Sequence, residues 1–207
     1  MTDESAPRIA PLMPPDWDAA AHEAVSVLPL ARDNILKAWE TGVPVAGMNL
    51  LCTQLRHPAM AKAFLSFNAH FFQASELPAR VREILILRIA WLRRAEAEFI
   101  AHVSLARRAG MTDEEIERVQ LGANAPDWTP EEADLVRAVD ELRADARITD
   151  ATWAALARRF NTQQMIELVM IVGCYELLAM AFNSFGVQLE AGAAALDAAA
   201  RARMHGQ

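Results

Sequence analysis

Two long apolar runs constrain this chain more than any other feature. One passes through Leu77-Pro78-Ala79-Arg80-Val81-Arg82-Glu83-Ile84-Leu85-Ile86-Leu87-Arg88-Ile89-Ala90-Trp91. The other runs from Thr162 to about Phe182, through Met165-Ile166-Glu167-Leu168-Val169-Met170-Ile171-Val172. Each reads as a helix apolar on most of its faces, which only a helical core can bury. Nowhere does an apolar/polar alternation bounded by turn signals suggest a strand, so the expected class is all-α.

The remaining segments are punctuated as helices. Residues 1–16 carry Pro7, Pro11, Pro14 and Pro15 without sustained periodicity and read as an extended arm, suited to lie across a neighbouring subunit. A weakly helical region from Trp17 to about Thr41 precedes a break at Gly42 to Gly47. Helices follow from about Met48 to Leu55 and from Pro58 to about Gln73, divided at His57-Pro58. Pro78 marks the first turn of the apolar helix. The helix from about Ala95 stops at Gly110, a residue free to take the left-handed conformation. Thr112-Asp113-Glu114-Glu115 and Thr129-Pro130-Glu131-Glu132 are capping boxes, opening helices to about Gly122 and Asp145 with a loop at Asn124 to Asp127 between them. A shorter helix spans Thr149 to Phe160. The expected organisation is an arm at 1–16, one helical domain at 17–190, and an alanine-rich tail at 191–207.

Composition narrows the function classes. A net charge of −7 disfavours a partner bound by neutralising many phosphates, so no nucleic acid is expected. With 53% hydrophobic residues and a mean hydropathy of +0.08, the chain points to surface buried between subunits, hence a homo-oligomer. No basic start with a long apolar region, and no stretch of about 18 uncharged apolar residues, appears. The expectation is a cytoplasmic protein with no membrane partner. Cys52 and Cys174 are remote from each other and belong to no Cys-x-x-Cys pair, so both are expected as buried thiols.

Three ionisable residues stand out as chemistry: Glu83 in the first apolar helix, and Glu98 and His102 in Ala95-Glu96-Ala97-Glu98-Phe99-Ile100-Ala101-His102. Residues four apart on a helix have Cβ atoms roughly 5–6 Å apart, so Glu98 and His102 are placed to share a proton or a water. A carboxylate and an imidazole in a low-dielectric pocket make a general acid/base unit. Set against this, Glu83 has a structural reading as the partner of an arginine on another helix; Arg88, about 140° around the same helix, is not the obvious one. A Glu, Glu, His set also has a reading as ligands for Zn²⁺ or Fe²⁺, though the spacing is one residue longer than the Glu-x-x-His of ferritin-like sites; no metal and no cofactor are expected. His22, His57, His70 and His205 show no partner spacing and read as structural or exposed. Tyr175, the only tyrosine, needs a buried partner for its hydroxyl. A short repeat, Arg82-Glu83-Ile84-Leu85-Ile86-Leu87 against Ile166-Glu167-Leu168-Val169-Met170-Ile171, hints at two related helical halves.

From Leu77 to Val119 the chain resembles the carboxymuconolactone decarboxylase and alkylhydroperoxidase D superfamily: Leu-Pro before a Glu-bearing apolar helix, a helix with a histidine, then Ala-Gly and a Thr-Asp-Glu-Glu turn. The peroxidase branch carries Glu and then Cys-x-x-Cys-x-x-x-His; counted from His102, Glu83 matches that glutamate, Ala95 replaces the first cysteine and Glu98 the second, catalytic one. Without thiols there is neither a nucleophile for a peroxide nor a resolving partner. The resemblance implies a helical fold assembled as trimers or hexamers, with the site close to a subunit interface. In the decarboxylase branch a carboxylated lactone loses CO₂ and the enolate-like product is protonated, a task suited to a histidine with two carboxylates. The leading expectation is a cofactor-independent lyase or isomerase acting on a small carboxylated or lactone-type substrate through Glu83, Glu98 and His102. The alternatives are an alkylhydroperoxidase-like antioxidant, disfavoured by the missing cysteines, and a non-enzymatic helical oligomer that binds a small ligand.

Overall fold

A computed structural model describes residues 6–193 and 195–206. Residues 1–5 of the expected arm, and residues 194 and 207 of the expected tail, lie outside that description. The described chain is all helical. A 3₁₀ turn at Pro14–Asp16 is followed by eleven α-helices: α1 (Ala19–Val25), α2 (Pro29–Thr41), α3 (Met48–Gln54), α4 (Pro58–Gln73), α5 (Ala79–Leu92), α6 (Glu96–Arg108), α7 (Asp113–Leu121), α8 (Pro130–Asp145), α9 (Asp150–Leu156), α10 (Thr162–Phe185) and α11 (Ala198–His205).

The described residues form two compact units. The first holds those up to Ala74 together with those from Ala181 to Ala195; the second holds Ser75–Met180 and those from Leu196 on. In the first, the region expected as one weak helix is two, because Asp18 caps α1 by accepting from the Ala21 amide at 2.8 Å and Pro29 opens α2. Helix α1 packs on α4. The arm closes on the end of α10, where the amides of Arg8 and Ile9 donate to the Phe185 carbonyl at 2.8 and 3.2 Å. Gly186 allows this approach, since its φ is +65° and a Cβ there would lie 3.3 Å from the Arg8 nitrogen.

In the second unit α5 is the axis, packed against α6, α7 and α8. Ile84, Leu85, Ile86, Leu87, Ile89 and Ala90 are all buried, so the helix is enclosed on every side. Full burial of each such Leu or Ile is worth roughly 1.5–3 kcal/mol, which offsets the cost of enclosing Glu83 and Arg88 on the same helix. Both capping boxes form, Thr112 with Glu115 and Thr129 with Glu132. Their two glutamates are drawn together by Arg80, 2.6 Å from Glu115 and 2.7 Å from Glu132, so one guanidinium ties the N-termini of α7 and α8 to α5.

Two departures from the sequence reading concern the C-terminal third. The alanine-rich tail contains α11, capped by the Asp197 side chain on the Ala200 amide at 2.7 Å. Helix α10 is long and apolar enough, by length and composition, to cross a membrane; Glu167 and Glu176 break the uncharged run without lowering its mean hydropathy below that of a span. Of its most apolar window 56% is buried within the protein, as in the core helix of a soluble domain.

Candidate functional site

Glu83 sits one turn into α5 and His102 in the middle of α6, and the two helices bring them into contact: His102 Nδ1 lies 2.8 Å from Glu83 Oε2, with both side chains buried. With Glu83 ionised, Nδ1–H donates and the acceptor nitrogen of the imidazole is Nε2. The ring is also held by Tyr175 of α10, which meets it edge-to-face with centroids 4.9 Å apart and planes at 89°. Nothing in the sequence spacing linked Tyr175 to His102, since the contact joins helices separated by three others.

Glu98 is placed differently from the expectation. It is buried with His102 on α6, but no hydrogen bond joins them; the acceptor for His102 comes from α5 instead. Spacing along one helix fixes the Cβ separation, while the partner of a ring nitrogen is set by whichever neighbouring helix faces it. Both carboxyl oxygens of Glu98 lack a hydrogen-bond partner and the residue is 1% exposed. Burial pushes its carboxyl well above the ordinary carboxylate range, which favours the protonated form.

The structural reading of Glu83 as an arginine's partner is not what the fold shows. Arg88 turns to Asp140 at 2.7 Å and to the carbonyls of Val119 and Gln120 at 2.9 and 3.0 Å. Nor do the two glutamates of the short repeat share a use: Glu167 accepts from the Ser75 hydroxyl at 2.6 Å and from the amides of Glu76 and Leu77 at 3.0 and 3.2 Å, holding the loop that leads into α5. Among the other histidines, His57 caps α4 by accepting from the Met60 amide and His22 stacks edge-on against Trp17.

Among the described residues no group of three or more His, Cys, Asp or Glu side chains is placed to hold a metal ion. A cavity of about 280 Å³ opens between α5 and α8, lined by Arg80, Ile84, Glu132, Leu135 and Arg159 among others, away from Glu83, Glu98 and His102. Arg80 there is already neutralised by two carboxylates and is bound into the fold.

Residues 58–141 match the carboxymuconolactone decarboxylase family model. Solved structures share the fold. A peroxidase-related protein from Silicibacter sp. TM1040 is 16% identical with a TM-score of 0.69, over 93% of this chain and 97% of its own. A peroxidase-related protein with an AhpD core from Ralstonia eutropha JMP134 is 17% identical with a TM-score of 0.64, over 81% and 88%. An Agrobacterium tumefaciens protein of unknown function, a candidate AhpD antioxidant-defence protein, is 20% identical with a TM-score of 0.59, over 64% and 92%. No curated protein sequence matches the chain. Helix α5 with its glutamate, set against α6 with its histidine, is thus the core of an AhpD-like helical domain. Residues 58–141 carry the match to the carboxymuconolactone decarboxylase family on this fold, with Ala95 and Glu98 preceding His102 in that stretch.

Proposed function

We propose that this protein is a cofactor-independent acid/base enzyme, a lyase or isomerase acting on a small carboxylated or lactone-type substrate. The observation that carries the reading is the buried 2.8 Å contact between Glu83 and His102, which fixes the imidazole tautomer and leaves Nε2 to exchange a proton with substrate. In this reading Glu83 is the orienting carboxylate and His102 the base that takes a proton next to a carbonyl, or returns one to an enolate-like carbon. Glu98, kept neutral by burial, donates a hydrogen bond to the oxygen on which negative charge develops. The superfamily includes enzymes, and its decarboxylase branch supplies the substrate class.

The antioxidant reading needs a reactive thiol. The chain has two cysteines, both buried, and burial together with the charge of Glu190 pushes the Cys52 thiol up to about 12. A thiol so poorly ionised is a poor nucleophile towards a peroxide.

A panel of carboxylated lactones and enolisable keto acids, followed by loss of substrate and by exchange of carbon-bound hydrogen with deuterated solvent, tests the proposal. With a substrate found, His102→Ala, Glu83→Gln and Glu98→Leu, which has no donor, should each lower kcat by roughly 10²-fold or more, the usual contribution of a positioned catalytic group, with helical circular dichroism unchanged. Unaltered turnover in His102→Ala, or peroxide reduction that depends on added thiol, would overturn it.

A further inference from the structure

Helix α10 makes three side-chain contacts around the helices that carry Glu83 and His102. Glu167 accepts from the Ser75 hydroxyl and from the amides of Glu76 and Leu77, just before α5 begins. Glu176 is ion-paired with Arg93, the residue on which α5 ends. Between these anchors Tyr175, only 2% exposed, sets its ring edge-to-face against the imidazole of His102. A buried ring adjacent to one anchored residue, and a little over two helical turns from the other, is a rigid surface for whatever rests on it.

The imidazole needs such a surface. Its hydrogen bond to Glu83 fixes one ring atom, with Nδ1 2.8 Å from Oε2. The plane of the ring is left free to swing about that point, because χ2 of histidine is a broad torsion and a carboxylate oxygen accepts over a wide range of directions. A swing re-aims Nε2, the nitrogen that faces away from Glu83. The contact with Tyr175, centroids 4.9 Å apart and planes at 89°, resists it, since turning either ring drives its atoms into the other. A pair of this kind favours the held orientation by a factor of roughly 2–12 in population. Misplacing a reacting atom by about 1 Å can cost a hundredfold in rate, so the aim of Nε2 matters. We propose that Tyr175 is the positioning residue of His102: the Glu83 carboxylate selects which nitrogen carries the proton, and the Tyr175 ring aims the other. The role belongs to the ring and not to its hydroxyl, and it rests on the acid/base reading of His102.

Nitrogen NMR of the full chain with labelled histidine reads the tautomer without any substrate, the His102 signals being identified by their loss in His102→Ala. At a pH where the ring is neutral, the wild-type protein should show a single Nδ1–H form, and Tyr175→Phe should leave it so. Tyr175→Leu should let the ring swing off Glu83 and show both tautomers, with helical circular dichroism unchanged. With a substrate from the panel above, Tyr175→Leu should lower kcat by roughly 10-fold while KM changes by less than about 2-fold, and Tyr175→Phe should keep the wild-type rate. A single Nδ1–H form in Tyr175→Leu, or tautomers mixed as much in Tyr175→Phe as in Tyr175→Leu, would overturn the positioning role while the acid/base reading stood. Unaltered turnover in His102→Ala would instead overturn that reading, and the tautomer result would still decide whether Tyr175 holds the ring. Should Tyr175→Leu fail to fold, Tyr175→Met fills the space with a flexible chain and takes its place. Mixed tautomers in the wild-type protein would overturn the proposal without any variant.

Discussion

Replacing Glu98 tests directly whether that carboxyl is a neutral acid held at a cost to the fold. A buried polar group without a partner forfeits roughly 1–3 kcal/mol, and both oxygens of Glu98 are in that position. Glu98→Leu removes the penalty with a side chain of similar size, against a repacking cost below about 1.5 kcal/mol. The net expectation at pH 8 is a gain of about 1–2 kcal/mol, or a Tm higher by about 2–8 °C at this chain length. The pH dependence has a definite sign. In the unfolded chain the carboxyl releases its proton near the ordinary value of 4.5, while in the folded protein burial holds the proton to higher pH. Between those two points the native state binds more protons than the unfolded one, so wild-type stability declines as pH rises, by at most about 1.4 kcal/mol per pH unit. The leucine variant lacks this decline, and its advantage in urea unfolding should be larger at pH 8 than at pH 5. Glu98→Gln should remove the pH dependence while keeping the buried polar penalty. The reasoning fails if Glu98→Leu destabilises the protein by more than about 1 kcal/mol at both pH values, or if its advantage is the same at both.

Arg80→Ala should release Glu115 and Glu132 together and cost about 1–3 kcal/mol, read as a lower urea midpoint. Because the hydrogen bond from Arg80 holds the Glu115 carboxyl below its usual range, that loss should be full above the ordinary carboxylate value and shrink as pH falls below it. Gly122→Ala combines a backbone φ of +95° with a Cβ 2.9 Å from the Arg88 guanidinium; thermal melting should report a loss of roughly 2–4 kcal/mol. A thiol titration of the native protein should detect little reaction at Cys52 and Cys174, and two thiols per chain after denaturation. Peroxide turnover abolished by Cys174→Ser would contradict both this expectation and the lyase reading.

What was legible in the sequence is what local chemistry decides. The two capping boxes, Pro58 after His57, and Gly110 fixed helix ends that the fold reproduces, because a cap is satisfied by residues within four positions of itself. The division of α1 from α2 depended on Asp18 and Pro29, whose signals lay inside a segment with weak apolar periodicity. Helix α11 was hidden in an alanine-rich stretch whose pattern has no apolar face to read, although Asp197 is a capping residue. At the site, the sequence reading grouped Glu83, Glu98 and His102, and the fold brings Glu83 and His102 into hydrogen-bond contact. Tyr175 and the isolation of Glu98 were out of reach, since each depends on which side chains other helices bring alongside, and that is set by packing rather than by spacing.

The Glu83–His102 contact joins residues only nineteen apart, whereas the hydrogen bond from Ser75 to Glu167 closes a loop of ninety-two. Loop closure of the shorter segment loses less chain entropy, so the α5–α6 hairpin forms more readily than the contact of α10 with the loop before α5. The carboxylate and the imidazole are therefore expected to meet while α10 is still undocked, and the Tyr175 ring and the Glu167 clasp to arrive afterwards. On this ordering, an Ala substitution at Glu83 slows folding, while one at Glu167 chiefly hastens unfolding.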